Sequence, residues 1–150
     1  MEARVQIKNK KALFNYELVE TLVVGLVLQG TEIKSLRQGK ANLNDAYCLF
    51  QGHELYVKSM YIAEYDMGTH ANHAARRPRK LLAHFRELSK WLSRVKEKGL
   101  TIIPVKLFIN EKGIAKLEIA LARGKKKHDK RDTIKQRDAK RELDRVKKRF

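Results

Sequence analysis

Two runs of nine residues, "TIIPVKLFI" at 101–109 and "IAKLEIALA" at 114–122, flank the tetrapeptide Asn110-Glu111-Lys112-Gly113. Apolar, β-branched runs of this length on either side of a turn sequence predict two antiparallel strands joined as a hairpin. Alternation then points the odd positions, Ile103, Val105, Leu107 and Ile109, then Leu117, Ile119 and Leu121, toward a core. A hairpin cannot cover such a face by itself, so further strands must close over it. The rest of the chain supplies them. From Phe14 to Leu28 the even positions read Phe, Tyr, Leu, Glu, Leu, Val, Leu, Leu, which predicts a long strand with a bend or bulge at Gly25. "AYCLF" and "ELYVKSMYIAEY" on either side of Gln51-Gly52-His53 predict another hairpin.

Two helices interrupt the strands. In "GTEIKSLRQG", Thr31 is placed to cap a short helix, Ile33 and Leu36 share a face, and Gly39 suits a left-handed ending. After Pro78 the stripe Leu81, Phe85, Leu88, Leu92, Val95 predicts a long helix stopped by Gly99. Trp91 borders that stripe, where packing is a more natural role than base stacking. The expected fold is mainly β with helices: a small, OB-like closed barrel of about six strands, with a long helix between the third and fourth strands. "DMGTHANHAARRP" reads as a basic loop between strand and helix.

Charge sets the partner class. The chain has 150 residues and a formal charge of +17. Residues 123–150 carry 14 Lys or Arg against 5 Asp or Glu, a net of +9, and the other 122 residues carry 20 against 12, a net of +8. Both parts fit a polyanion, nucleic acid first. The longest apolar run, Leu22–Leu28, is too short to span a bilayer, and "MEARVQIKNK" has no apolar signal core, so a cytoplasmic protein without a membrane role is expected. The expected organisation is an RNA-binding barrel over 1–122 and a basic tail over 123–150.

Residues that would carry chemistry do not assemble. "GTEIKSLRQGK" has eight residues between its glycines and Ala41 after Lys40, which excludes a Walker A loop. His70 and His73 lack the Cys or carboxylate partners of a metal set and read as polar loop residues. Cys48 reads as a small buried hydrophobe. No catalytic constellation can be defended from spacing, so the expectation is a non-enzyme with no cofactor and no metal. Three basic clusters remain: Lys8, Lys10 and Lys11; Lys34, Arg37 and Lys40; Arg76, Arg77, Arg79 and Lys80. Their placement at predicted loops and helix ends suits phosphate contacts on a barrel rim.

At "NKKALFNYEL", "LQGTEIKSLRQGKANLNDAY", "RPRKLLAHFREL" and "ALARGKKKHDKR" the chain resembles the small protein B family of bacterial SsrA-binding proteins over almost its whole length. The resemblance implies an OB-like barrel that binds the tRNA-like domain of transfer-messenger RNA. It further implies delivery of that RNA, with elongation factor Tu, to ribosomes stalled on messages lacking a stop codon. The tail then enters the decoding region of the small subunit and the empty messenger channel. The barrel positions implied to meet RNA are Glu32, Leu82 and His84, and those of the tail are Gly124, Lys125, Lys126, His128, Asp129, Lys130 and Arg131. An acidic Glu32 on a basic rim makes sense if it accepts from a base edge or orients an arginine. The plain alternative is that it favours the first turn of its helix. Two stretches depart from the family pattern. "VVGL" at 23–26 replaces a more polar stretch, and "AHF" at 83–85 puts Phe85 where a basic residue is usual.

Within the tail, Ala139, Leu143, Val146 and Phe150 step along one narrow apolar stripe, while Arg137, Arg141 and Arg145 form a basic face. Such a segment is a marginal helix alone in water, because its like charges repel. The expectation is a tail disordered when free and helical on the ribosome, in a monomeric protein. A structural ribosomal protein of similar size and charge is the alternative. It would co-purify stoichiometrically with subunits, whereas a rescue factor is found only on stalled ribosomes.

Overall fold

A computed structural model describes residues 5–68 and 72–125. It is mainly β, with three helices. In chain order the elements are β1 (Gln6–Lys8), α1 (Lys10–Asn15), β2 (Tyr16–Leu26), α2 (Gly30–Arg37), β3 (Ala41–Asn42), β4 (Tyr47–Gln51), β5 (Glu54–Lys58), β6 (Tyr61–Ile62), β7 (Arg79–Leu82), α3 (Phe85–Lys98), β8 (Thr101–Ile109) and β9 (Ala115–Gly124). Seven strands form one sheet in the order β1-β8-β4-β5-β7-β2-β9, and β9 also pairs with β8. Every pairing is antiparallel. The short β3 and β6 pair separately. Among the described residues there are nine strands against about six expected, and the short β1, β3 and β6, of two or three residues, carry no legible alternation.

Both predicted hairpins form: β4 and β5 turn through Gly52 at φ +65°, and β8 and β9 turn ahead of Gly113 at φ +80°. The alternation within them needs one correction. A bulge between Pro104 and Lys106 shifts the β8 register against β9. Because the side-chain period is two, an extra residue reverses the faces. Leu107 and Ile109 enter the main core as expected, but before the bulge it is Ile102 that does so. Ile103 instead joins a second cluster with Ala12, Ala120 and Ala122. These small alanines let α1 sit against the outer face of β9, so both faces of β9 are covered there.

The long strand expected from Phe14 is also shorter. Phe14 lies in α1, because Asn9 pins a helical turn onto β8: its Oδ1 accepts from Ala12 N–H at 3.3 Å and its Nδ2 donates to Pro104 O at 2.8 Å. The bulge in β2 falls between Leu18 and Glu20, not at Gly25, which stays in register with Leu82 and Lys116. The second strand of the β4–β5 hairpin ends at Lys58, where Ser59 takes φ +61°. Likewise the helix predicted from Leu81 begins only at Phe85. Leu81 and Leu82 belong to β7, which pairs with β5 and β2. Leu81 fits either period, and its pairing with Leu55 and Leu26 decides for the strand.

The main core gathers Leu36 of α2, Trp91 of α3, and Leu55, Val57, Leu107, Leu117, Ile119 and Leu121 from the strands. Each such side chain stabilises the fold by about 1.5–3 kcal/mol on burial. Trp91 is buried, as packing required, while Phe85 stands outside the stripe in which it was placed. Gly99 ends α3 at φ +62°. No helix among the described residues is long and apolar enough to cross a membrane.

Candidate nucleic-acid interface

α2 begins at a buried carboxylate. Glu32 stands in its first turn, and Glu32 Oε1 accepts from the Gln29 backbone N–H at 2.8 Å, which satisfies one open donor at the helix start. Thr31 is not the cap. Its hydroxyl lies 2.9 Å from His73 Nδ1, and His73 Nε2 lies 2.9 Å from Ile62 O. The carbonyl only accepts, so Nε2 carries the proton and, in a neutral ring, Nδ1 accepts from Thr31. His73, read from sequence as a polar loop residue, is a buried bridge between α2 and β6.

Glu32 holds two arginines as well. Arg77 Nη2 donates to Oε1 and Arg79 Nε to Oε2, each at 2.5 Å. Arg79 Nη1 donates to Met60 O, and its Nη2 donates to Ala75 O at 3.1 Å. Both Glu32 and Arg79 are fully buried. Burial alone would raise the Glu32 carboxyl, but Arg77, the Gln29 N–H and Arg79 together hold it below its ordinary range. Arg79 is therefore corrected: its guanidinium is enclosed by protein acceptors and offers no face to a phosphate. Of the two functional roles considered for Glu32, orienting an arginine fits, because both carboxylate oxygens are already taken. The plain helix-start role is met at the same time.

Around this knot lie exposed cations. Lys34, Arg37 and Lys40 project from α2 and the turn after it. Lys34 sits 5.4 Å from the Tyr65 ring centroid and Arg76 5.6 Å from that of Tyr61. Lys40 pairs with Asp66 at 2.5 Å, and Arg76 Nη1 donates to Ser59 O at 2.9 Å. Lys80 is partly neutralised by Glu54 at 3.1 Å, and Tyr56 donates to the same carboxylate at 2.8 Å.

The remaining expected positions lie elsewhere. Leu82 and His84 are exposed where β7 passes into α3, next to an exposed Phe85. Lys10 and Lys11 are exposed on α1, and this helix receives the end of β9 rather than the α2 cluster: Lys125 N–H donates to Asn15 O and Lys125 Nζ to Leu13 O, both at 3.0 Å. Gly124 pairs with Tyr16, so β9 continues two residues past the domain boundary expected at Ala122. Lys126, His128, Asp129, Lys130, Arg131, Arg137, Arg141 and Arg145 lie outside the described residues. Among the described residues no group of His, Cys, Asp and Glu is arranged to hold a metal. Cys48 is buried, and burial pushes its thiol up, so it is a core side chain.

Sequence reasoning placed Arg77 in a basic cluster without its tie to Glu32, and His73 in a loop without its bridging role. The signal for Arg77 was the imbalance of "GTE", with one acid, against "RRPR", with three bases. His73 gave no signal, because its partners, Thr31 and Ile62, are brought to it only by the fold.

Comparison with known proteins adds an independent line. The family described as SmpB protein matches residues 6–149. The chain is 58% identical over 145 residues to an SsrA-binding protein of Parabacteroides distasonis, covering 97% of this chain and 95% of that one. The SsrA-binding protein of Phocaeicola vulgatus is 57% identical over 145 residues, covering 97% of each chain. That of Rickettsia africae is 46% identical over 143 residues, covering 95% of this chain and 94% of its own. A solved structure described as "tmRNA-SmpB: a journey to the center of the bacterial ribosome" matches with a TM-score of 0.68 at 46% identity, covering 81% of this chain and 85% of that one.

Proposed function

The chain belongs to the SmpB protein family, and on that premise we propose that it binds the tRNA-like domain of transfer-messenger RNA and delivers it to stalled ribosomes. The observation that carries this reading is the half-buried Arg77. Glu32 orients it from below, and the exposed Lys34, Arg37 and Arg76 belong to the elements that the knot ties together. A fixed guanidinium among cations is suited to bidentate recognition of phosphate or of a guanine edge. Glu32 acts here as a positioning residue. Leu82 and His84 add a contact surface at the start of α3.

The ring of pairings β8-β4-β5-β7-β2-β9 and back to β8 supports reading the folded part as a small closed barrel of the OB type. The protein acts as a cytoplasmic monomer, without catalysis of its own and without a cofactor, alongside elongation factor Tu. Its basic tail, with Gly124, Lys125, Lys126, His128, Asp129, Lys130 and Arg131 at its root, occupies the decoding region, and Arg137, Arg141 and Arg145 lie along messenger-channel RNA.

The test is reconstituted translation of a message without a stop codon. Full-length protein should bind the tRNA-like domain and support tagging of the stalled peptide. A chain ending at Lys125 should bind that RNA and fail to support tagging. Absence of binding by the full-length chain overturns the reading.

A further inference from the structure

Two lysines, one in α2 and one in the turn after it, meet neighbouring residues of one surface loop in different ways. Lys34 Nζ stands 5.4 Å from the centroid of the Tyr65 ring, a contact that leaves its charge intact. Lys40 Nζ meets the next residue, Asp66, at 2.5 Å, and there the two charges cancel. A lysine held against a carboxylate is closed to a phosphate until that carboxylate is displaced.

An ion pair this open is ordinarily weak, because two mobile side chains must be held in one geometry. The side chain of Lys40 is 44% exposed and that of Asp66 65%. Here the backbone at both ends is fixed beforehand. Lys40 O accepts from Ala63 N–H at 2.9 Å, which ties the lysine to the start of the loop. Beyond Asp66, Asn72 reaches back to Tyr65: its Oδ1 accepts from Tyr65 N–H at 3.2 Å, and its Nδ2 donates to Tyr65 O at 2.9 Å. The same Oδ1 accepts from His73 N–H at 3.0 Å, and His73 is the buried bridge to Thr31 of α2. Gly68 N–H donates to Tyr65 O at 2.8 Å. A Cβ on Gly68 would lie 2.5 Å from Asn72 Nδ2 and 3.0 Å from Tyr65 O, so the clasp requires glycine there. The loop is built to keep Asp66 beside Lys40.

We infer that Asp66 is a specificity-determining residue for RNA, withholding Lys40 from phosphates while Tyr65 leaves Lys34 open to them. The inference rests on the proposed RNA-binding function and deepens it. Phosphate contacts carry no sequence information and supply essentially all of non-specific binding, so every open cation strengthens binding to any RNA. A cation that the protein itself neutralises strengthens none. An RNA recognised by shape and bases loses nothing when a lysine outside its contacts is closed. An RNA held by charge alone loses one contact. Asp66 thus weakens binding of the wrong RNA and spares the right one, which is how a difference in affinity is made.

Asp66→Asn keeps the size of the side chain and removes its charge. Its binding should be measured across a salt series on two RNAs, a transcribed tRNA-like domain of transfer-messenger RNA and an unstructured mixed-sequence oligomer. On the oligomer the variant should bind about two- to fivefold more tightly at low salt, and the slope of log affinity against log salt should steepen by about 0.7. On the tRNA-like domain both affinity and slope should match wild type. In a Lys40→Ala background Asp66→Asn should change neither RNA, because no lysine is left to release. A gain that persists in that background, equal gains on both RNAs, or an unchanged slope on the oligomer overturns the inference and leaves the proposed function standing. If the wild-type chain does not bind the tRNA-like domain, the proposed function falls. The withholding of Lys40 is then decided on the oligomer alone, where a steeper slope that Lys40→Ala abolishes upholds it and an unchanged slope overturns it.

Discussion

The knot at Glu32 and the open cleft lined by Val23, Gly25 and Leu82 invert the usual division between inside and outside. At the knot a carboxylate and a guanidinium, groups that prefer water, are fully buried. At the cleft Val23 and Leu82, groups that prefer burial, are at least half exposed, as is Phe85 at the start of α3. The two departures have different physical consequences. A buried charge is tolerated only while its partners persist, so the knot must be intact for the fold to be stable. An exposed apolar group adds little to stability, so the cleft can change without the fold noticing. Charge is thus no guide to exposure: Arg79 is enclosed by protein, and the uncharged Phe85 is open to solvent.

Breaking the knot should give the largest effect. Glu32→Ala leaves Arg79 buried without its counter-ion and should destabilise the chain by about 3–5 kcal/mol in urea unfolding. Adding Arg79→Met to Glu32→Ala should recover much of the loss, because an apolar side chain then replaces the stranded charge.

Acid should weaken the knot in the wild type. In the folded chain the Glu32 carboxyl is held below its ordinary value of 4.5. As pH falls, the unfolded chain takes up the proton first, so this stability is complete above about 4.5 and is lost as pH falls through the lower, folded value. Unfolding of wild type and Glu32→Gln as a function of pH checks this: the variant should show a shallower decline below pH 4.5.

Beside the cleft the contrast is sharpest with Phe85→Ala. Its stability should stay within about 0.5 kcal/mol of wild type in the same urea unfolding. A stability loss as large as that of Glu32→Ala would mean that Phe85 packs rather than presents, and the contrast would collapse. The smallest change is expected from Lys34→Ala, with an unaltered fold and a salt slope of RNA binding reduced by about one unit. No change in slope would remove Lys34 from the phosphate contacts.

The sequence by itself determined both hairpins, a short helix within "GTEIKSLRQG", the stop at Gly99 and the packing role of Trp91, together with the basic character that selects a polyanion. These are local: alternation, turn residues and composition act within a few positions of where they are read. Only the tertiary structure decided that Leu81 is strand and not helix, since both periods fit it until Leu55 and Leu26 come alongside. It alone reversed Ile102 and Ile103, because a bulge changes the face without changing the composition. It also placed Arg79 inside and Arg77 at the surface, two residues apart in a run of like charges. What separates them is that Met60, Ala75 and Glu32 surround the first, and contacts across 4 to 47 residues leave no local mark on the chain.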